Sequence, residues 1–380
     1  MDVDQLRDDG HVRILALLLS LTAVNAQSLE KIATERFPAT KCPGLSLAVA
    51  TKGQIVFSKA FGMADVEQGV VMKADSVHRL ASLSKPITAT ILMGLVEDGK
   101  LSLDESVRTY LPELPAHYQP VKVRHLLTHQ SGVKGYSDPA DVAFSVRHYP
   151  TSRDSAKTFV DQPLAFEPGT KTEYASLSFT VAGAVAESIT KKSFQQVAQD
   201  FFVKHAIAGF SLDDSLAIVP KRVRGYLVDP ASAITFNDGR VMSRDYLAGS
   251  RADITNARAA DVSNRYPAAG FTASAEDLLR FTLALADGKV LKPQSIKQLW
   301  TAAKTSSGAQ GPFGLGWGVS QWKGRQMVGM NGAGPGTTTF LRYFPESKSG
   351  LAMLCNAEGG QRLSQLLDEL LGAVFEPETQ

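Results

Sequence analysis

The stretch Ala81-Ser82-Leu83-Ser84-Lys85-Pro86 decides how this chain is read. Behind it, Ile87, Ile91, Leu92, Leu95 and Val96 recur at helical spacing, and Gly99 after Asp98 supplies a stop. Pro86 limits where that helix begins, because proline has no backbone N–H and only a helix's first turn leaves one unpartnered. A helix starting near Ser82 tolerates Pro86. It also sets Ser82 at the helix mouth, with Lys85 three residues on along the same face. A serine hydroxyl becomes a nucleophile when a neighbouring base takes its proton. A lysine one turn away serves as that base if burial and the positive helix end lower its pKa. The tetrapeptide alone equally suits a serine capping a helix beside a solvated lysine, so partners must be sought elsewhere in the chain.

At 380 residues the chain is long enough for a large core and for two or three domains. With 44% hydrophobic and 21% charged residues it has ordinary globular composition. A net charge of +2 and no run of Lys or Arg give no sign of a nucleic-acid partner. Residues 1–26 read as an export signal: an apolar run over 14–24 follows Arg13 and ends at Val24-Asn25-Ala26. The run is short of the roughly 20 residues that span a membrane, so no stable span is expected. Asp2, Asp4, Asp8 and Asp9 outweigh Arg7 and Arg13, an acidic start that is atypical of a leader. The expected location is therefore the periplasm or the outside of the cell. The only two cysteines are Cys42 and Cys355, and no Cys/His spacing suggests zinc. Cys42 precedes the first expected strand and Cys355 ends the last, so antiparallel neighbours would bring them together as one disulfide; the alternative is two unpaired buried thiols.

Taken in order, residues 28–37 read as a helix, then 45–51 and 55–60 as strands either side of Lys52-Gly53. Helices are expected over 121–128, 176–189, 278–286 (after the capping pattern Ser274-Ala275-Glu276-Asp277), 293–300 and 363–375. A hairpin is expected from 223–228 and 233–236 across Asp229-Pro230. Strand character returns at 313–319, 326–330, 337–344 and 350–355. Strands at both ends with helices between imply one sheet interrupted by a helical insertion. The expected division is a discontinuous α/β domain of 27–80 with 267–380, and a mostly helical domain of 81–266.

A nucleophile and base need a third group to relay protons. Tyr174-Ala175-Ser176, after the Pro168-Gly169 turn, offers a phenol; packed differently, Tyr174 is a half-buried aromatic and Ser176 a helix N-cap. Met330-Asn331-Gly332-Ala333-Gly334-Pro335-Gly336 lies between two strands, and its glycines permit close backbone approach. An edge there would offer the Ala333 N–H, with that of Ser82, to a tetrahedral oxyanion. It also reads as a glycine-rich hairpin turn.

In this order and spacing the pieces resemble the serine β-lactamase, penicillin-binding protein and esterase superfamily, in its class C-like branch. The resemblance runs over about residues 40–375. It is carried by Pro43-Gly44-Leu45-Ser46-Leu47-Ala48-Val49, Ala60-Phe61-Gly62-Met63-Ala64-Asp65 and Arg79-Leu80-Ala81-Ser82-Leu83-Ser84-Lys85. His125-Leu126-Leu127-Thr128-His129-Gln130-Ser131-Gly132, Glu167-Pro168-Gly169, Tyr174 and Ala269-Gly270-Phe271 extend it. The pattern is nearest to the β-lactamase-like serine proteases and esterases, a branch with a mitochondrial member.

The resemblance implies an antiparallel five-stranded sheet flanked by helices and a covalent acyl-enzyme without metal or cofactor. Ser82 would be the nucleophile, Lys85 the base or its partner, and Tyr174 the proton relay, with Ser82 and Ala333 forming the oxyanion hole. Ser176, Met330, Asn331 and Gly332 would line the substrate. Two positions depart from the family pattern: Ser176 stands where Asn is usual, and Met330-Asn331 where Lys or His and then Thr or Ser are usual. Ser176 argues against β-lactam turnover. Met330 cannot hold a carboxylate, so an uncharged ester or a different peptide group is expected to be favoured over a carboxylate-bearing substrate. His129 lies in a segment that the resemblance explains structurally. No Gly-x-Ser-x-Gly elbow is present to support an α/β-hydrolase.

The expected function is a serine hydrolase of a small ester or peptide. A β-lactamase or D,D-carboxypeptidase is the alternative of the same class, and an inactive relative kept as a binding or assembly protein is the alternative of another. Oligomeric state is left open.

Overall fold

A computed structural model of the protein describes residues 26–136, 147–228, 234–235, 241–242, 254–359 and 362–375. The expected export signal lies almost wholly outside the described residues.

The framework is an antiparallel sheet of β1 (Gly44–Thr51), β2 (Gln54–Asp65), β3 (Val70–Val71), β4 (Gly318–Trp322), β5 (Arg325–Gly334), β6 (Thr337–Phe344) and β7 (Ser349–Cys355). Among the described residues it has seven strands in the order β4-β5-β6-β7-β1-β2-β3. The expectation was five. The short edge strand β3 has no readable strand pattern, and β4 begins later than the run expected at 313–319. That run alternates Phe313, Leu315, Trp317 and Val319, but Gly316 sits at φ +75 and its N–H bonds Leu127 O, so the segment turns before β4 starts.

β1 is buried almost end to end, as its Leu-Ser-Leu-Ala-Val-Ala run suggests for a strand covered on both faces. On one face lie α1 (Ala26–Arg36) and α6 (Leu363–Phe375). α6 buries Leu363, Leu366, Leu367, Leu370, Leu371 and Val374 at i, i+3, i+4, i+7 spacing against Leu45, Leu47, Phe57 and Met353. Full burial of each such side chain is worth roughly 1.5–3 kcal/mol. Cys42 and Cys355 are disulfide-bonded on this face, Cα atoms 6.0 Å apart, because register places Leu45 opposite Cys355. The unpaired-thiol alternative is thereby overturned.

On the other face α5 (Ala275–Ala286) packs on β1 and β7, its N-terminus capped by Ser274, whose Oγ accepts the Asp277 N–H at 3.1 Å. Beyond it lie α2 (Ser84–Glu97), α3 (Ser176–Thr190) and α4 (Phe194–Lys204). α4 carries a Ser193/Gln196 capping box that the sequence reading passed over. α2 is buried on every side from Ser84 to Leu95, so its polar groups are satisfied internally. Thr88 donates to Pro267 O (2.6 Å), and Ser84 Oγ accepts from Phe271 N–H (3.0 Å).

Two further expectations are corrected. The 223–228/233–236 hairpin does not form: Tyr226–Val228 pairs with Ile254–Asn256 and with Ala357–Glu358, partners too distant in sequence for turn chemistry to reveal. Residues 234–235 pair instead with 241–242. The helix expected over 121–128 is the shorter Val123–Leu127. No helix among the described residues is long and apolar enough to cross a membrane.

Candidate active site

Ser82 does not open the α-helix. It sits in a 3-10 turn, Ala81–Leu83, immediately before α2, and Pro86 falls in the first α-helical turn, where its missing N–H costs nothing. Ala81 takes a left-handed φ of +47, a conformation that costs a non-glycine residue roughly 1 kcal/mol. The turn directs a partly exposed Ser82 away from the core while Lys85, three residues later, is fully buried.

The three polar side chains converge. Lys85 Nζ donates to Ser82 Oγ at 3.0 Å and to Ala268 O at 3.0 Å, and the Tyr174 hydroxyl donates to Ser82 Oγ at 2.7 Å. Lys85 Nζ also lies 4.8 Å from the Tyr174 ring centroid and 5.8 Å from that of Phe179. Burial pulls the Lys85 amine below its usual pKa and the Arg265 guanidinium adds to this, against the opposing pull of Tyr174. Burial pushes the Tyr174 phenol up, but Lys85, Ser82 and Ser176 together outweigh it and hold the phenol below its ordinary value. Amine and phenol thus share one proton economy beside the hydroxyl.

Tyr174 is positioned by a stack of rings: His129 at 4.5 Å and Phe313 at 5.9 Å. His129 accepts the Ala175 N–H at Nδ1 (3.2 Å), and burial drives its pKa down to about 3, so it stands as a neutral buttress. Ser176 is the first residue of α3 and Ala175 its N-cap, so Ser176 does not cap the helix.

β5 meets the Ser82 turn at Gly332. A Cβ there would lie 2.4 Å from Leu80 O, 2.3 Å from Thr339 Oγ1 and 3.2 Å from Ser82 N, so only glycine permits this approach. β4 begins at Gly318 opposite Gly329, which leaves the Met330–Gly334 edge, Ala333 included, with β6 as its only strand neighbour among the described residues. Met330 is buried and apolar, whereas Asn331 turns to Arg342 on β6. Met330 and Asn331 line, with Tyr174 and Phe313, a cleft of about 380 Å³.

Several contributors escaped the sequence reading. The Ala268 carbonyl carries no side-chain signal. Thr337 and Thr339 read as strand residues, yet their hydroxyls donate to Arg79 O (2.8 Å) and Leu80 O (3.0 Å) and fasten β6 to the segment that leads into the Ser82 turn. Arg342 gave no motif at all.

The Beta-lactamase family model matches residues 29–374. The chain belongs to the Beta-lactamase family. This Beta-lactamase-family chain is 24% identical over 397 residues to the human mitochondrial serine beta-lactamase-like protein LACTB, spanning 80% of this chain and 69% of LACTB. It is 29% identical over 323 residues to esterase EstB of Burkholderia gladioli, spanning 77% and 78%. The D-amino acid amidase of Ochrobactrum anthropi SV3 superposes with a TM-score of 0.77 at 21% identity, covering 92% of this chain and 98% of the amidase. At that identity the likeness is one of fold. The family is one of β-lactamase-like serine hydrolases, and esterase EstB is among its relatives.

Proposed function

We propose that this protein hydrolyses small esters or peptide-like amides through a covalent acyl-enzyme on Ser82. The observation that carries the proposal is the convergence of the buried Lys85 amine and the Tyr174 phenol on the Ser82 hydroxyl, at 3.0 and 2.7 Å. The Lys85–Tyr174 pair, with both members drawn down in pKa, takes the serine proton as Oγ attacks the carbonyl carbon. The Ser82 and Ala333 N–H groups hold the oxyanion, and Gly332 sets their approach. The proton then passes from the pair to the departing oxygen or nitrogen, and a water repeats the sequence on the acyl-enzyme. Ser176, Met330, Asn331 and Gly332 border the substrate.

Met330 and Ser176 weigh against efficient β-lactam or D,D-carboxypeptidase turnover, and the assembled trio favours activity over an inactive binding protein. The Cys42–Cys355 bridge supports an oxidising, exported location in the periplasm or beyond. A fluorophosphonate probe followed by peptide mapping should label Ser82 alone. Hydrolysis of p-nitrophenyl esters should fall by at least about 10³-fold in Ser82→Ala, with nitrocefin turned over far more slowly than the esters. Folded protein that takes no label, and equal ester hydrolysis by wild type and Ser82→Ala, would overturn the proposal.

A further inference from the structure

Asp213 is a carboxylate enclosed by the fold, only 3% exposed, with two guanidinium groups beside it. Arg79 Nε lies 2.7 Å from its Oδ2, and Arg222 Nη1 donates to its Oδ1 at 3.4 Å. A charge buried this deeply needs such partners, because it has given up its hydration. A short three-stranded sheet brings these ions together. Its strands are His78–Arg79, Phe271–Ala273 and Ser211–Leu212, with Phe271–Ala273 in the middle. Arg79 is paired with Thr272, and Thr272 with Ser211. Asp213 follows the outer strand, and its N–H bonds Gly270 O at 2.7 Å, so Arg79 reaches it across the middle strand.

Arg79 does not end at Asp213. Its Nη1 donates to Pro335 O (3.2 Å), in the turn that joins β5 to β6. Its own carbonyl accepts the Thr337 hydroxyl (2.8 Å), at the start of β6. One residue therefore grips the hairpin twice, with side chain and main chain. Arg79 stands three residues before Ser82, and Pro335 two after Ala333. A guanidinium is a rigid planar fork, so fixing Nε fixes where Nη1 points. We infer that Asp213 is a positioning residue for the proposed reaction: by holding Arg79 it sets where the β5–β6 hairpin stands against the Ser82 turn, and with it the separation of the Ala333 and Ser82 N–H groups. The inference rests on the reading of those two N–H groups as the oxyanion donors. Asp213 acts only through Arg79.

The test compares 4-nitrophenyl acetate with 4-nitrophenyl thionoacetate, in which sulfur replaces the carbonyl oxygen. Sulfur accepts hydrogen bonds weakly and lies farther from carbon, so the ester's advantage over the thionoester reports how well the two donors fit an oxyanion. Asp213→Asn keeps the shape of the side chain and removes the charge that orients Arg79. It should lower kcat on the ester by about 30-fold with KM within about twofold, a loss below the roughly 100-fold of a 1 Å misplacement. The ester-to-thionoester ratio of kcat/KM should fall by about tenfold. Asp213→Glu should recover part of both. Arg222→Met is the control: it takes the second guanidinium from Asp213 and lowers Tm, but leaves Arg79 on the hairpin, so kcat and the ratio should stay within about twofold of wild type. Asp213→Asn with wild-type kcat, or with an unchanged ratio, would overturn the inference, and so would an equal fall in the ratio for Arg222→Met. If Asp213→Asn does not fold, Arg79→Lys decides by the same ratio, because one ammonium keeps the charge beside Asp213 but cannot also hold Pro335 O at the fork's spacing; an unchanged ratio there overturns the inference too. The underlying reading fails differently: Ser82→Ala would go on hydrolysing the ester, or Ser82 would take no fluorophosphonate label.

Discussion

Gly332→Ala isolates the contact on which the proposed chemistry depends. The backbone of Gly332 is not in the left-handed region, so alanine adds only a methyl group and no backbone strain. That methyl would meet Leu80 O at 2.4 Å and Thr339 Oγ1 at 2.3 Å. The Thr339 hydroxyl can rotate, but Leu80 O belongs to the residue next to the Ser82 turn. β5 must then retreat by on the order of 1 Å from Ser82, and a 1 Å misplacement costs about 100-fold in a positioned reaction. Overpacking of this kind costs about 1–3 kcal/mol in stability, far less than a domain needs to unfold. The variant should therefore be folded, slightly destabilised, and about 100-fold lower in kcat/KM for a p-nitrophenyl ester, with the loss mostly in kcat. Gly372→Ala in α6 is the matched control, since a Cβ there meets nothing within 4 Å. It should leave activity intact and stabilise by about 0.5–1 kcal/mol through helix propensity. A Gly332→Ala enzyme with wild-type kcat/KM would show that β5 does not contribute to transition-state binding, and the oxyanion assignment of Ala333 would go with it.

Acid should unfold the protein through two buried imidazoles. His78 and His129 have pKa values near 3 in the folded state, below the ordinary 6.5, because burial disfavours the cation. The unfolded chain binds more protons between those values, so stability is full above about 6.5 and falls as pH drops through the window, by on the order of 2 kcal/mol per histidine at pH 4.5. Urea unfolding at pH 7 and 4.5 should show this slope, and His129→Asn, which tolerates the φ of +58, should flatten it; an unchanged slope would refute the assignment. The Cys42–Cys355 bridge closes a separation of 313 residues, worth on the order of 5 kcal/mol in the chain-entropy account. Replacing both cysteines by serine should lower Tm by on the order of 5 °C, and a Tm within 1 °C of wild type would contradict it. Lys85→Met and Tyr174→Phe should each cost about 10³-fold or more in kcat, and the double variant little beyond either, because the two act as one unit; additive losses would separate their roles.

Much of the framework is legible because it rests on local periodicity. α6 repeats Leu at three- and four-residue steps, and β1 and β7 are largely apolar runs between turn residues. Ser82 and Lys85 are legible because proline punctuation fixes a helix start, and their bonds need only one turn of geometry. What escaped depends on non-local partners. Phe313 to Val319 has strand alternation, but Gly316 is drawn to Leu127 and breaks it. Tyr226–Val228 pairs with residues beyond 250, and no turn signal reports such a partner. Arg342 looks like one polar residue on a strand until Asn331 and Met330 are placed across from it.

The Ser82 turn is held by several residues remote from it in sequence. Ala268 O receives Lys85, Thr337 and Thr339 grip Arg79 O and Leu80 O, Arg79 donates to Pro335 O, and Gly332 leaves room for the approach. Each contact spans more than 180 residues, so the Ser-x-x-Lys spacing prepares the chemistry without fixing it. The strained Ala81 fits this arrangement: a left-handed alanine persists only where its surroundings over-determine it, and here both β5 and the 266–269 segment pack against its turn. The reactive geometry therefore belongs to the docking of the β5–β6 hairpin against the mouth of α2. Variants that loosen that docking should lose activity before they lose the fold.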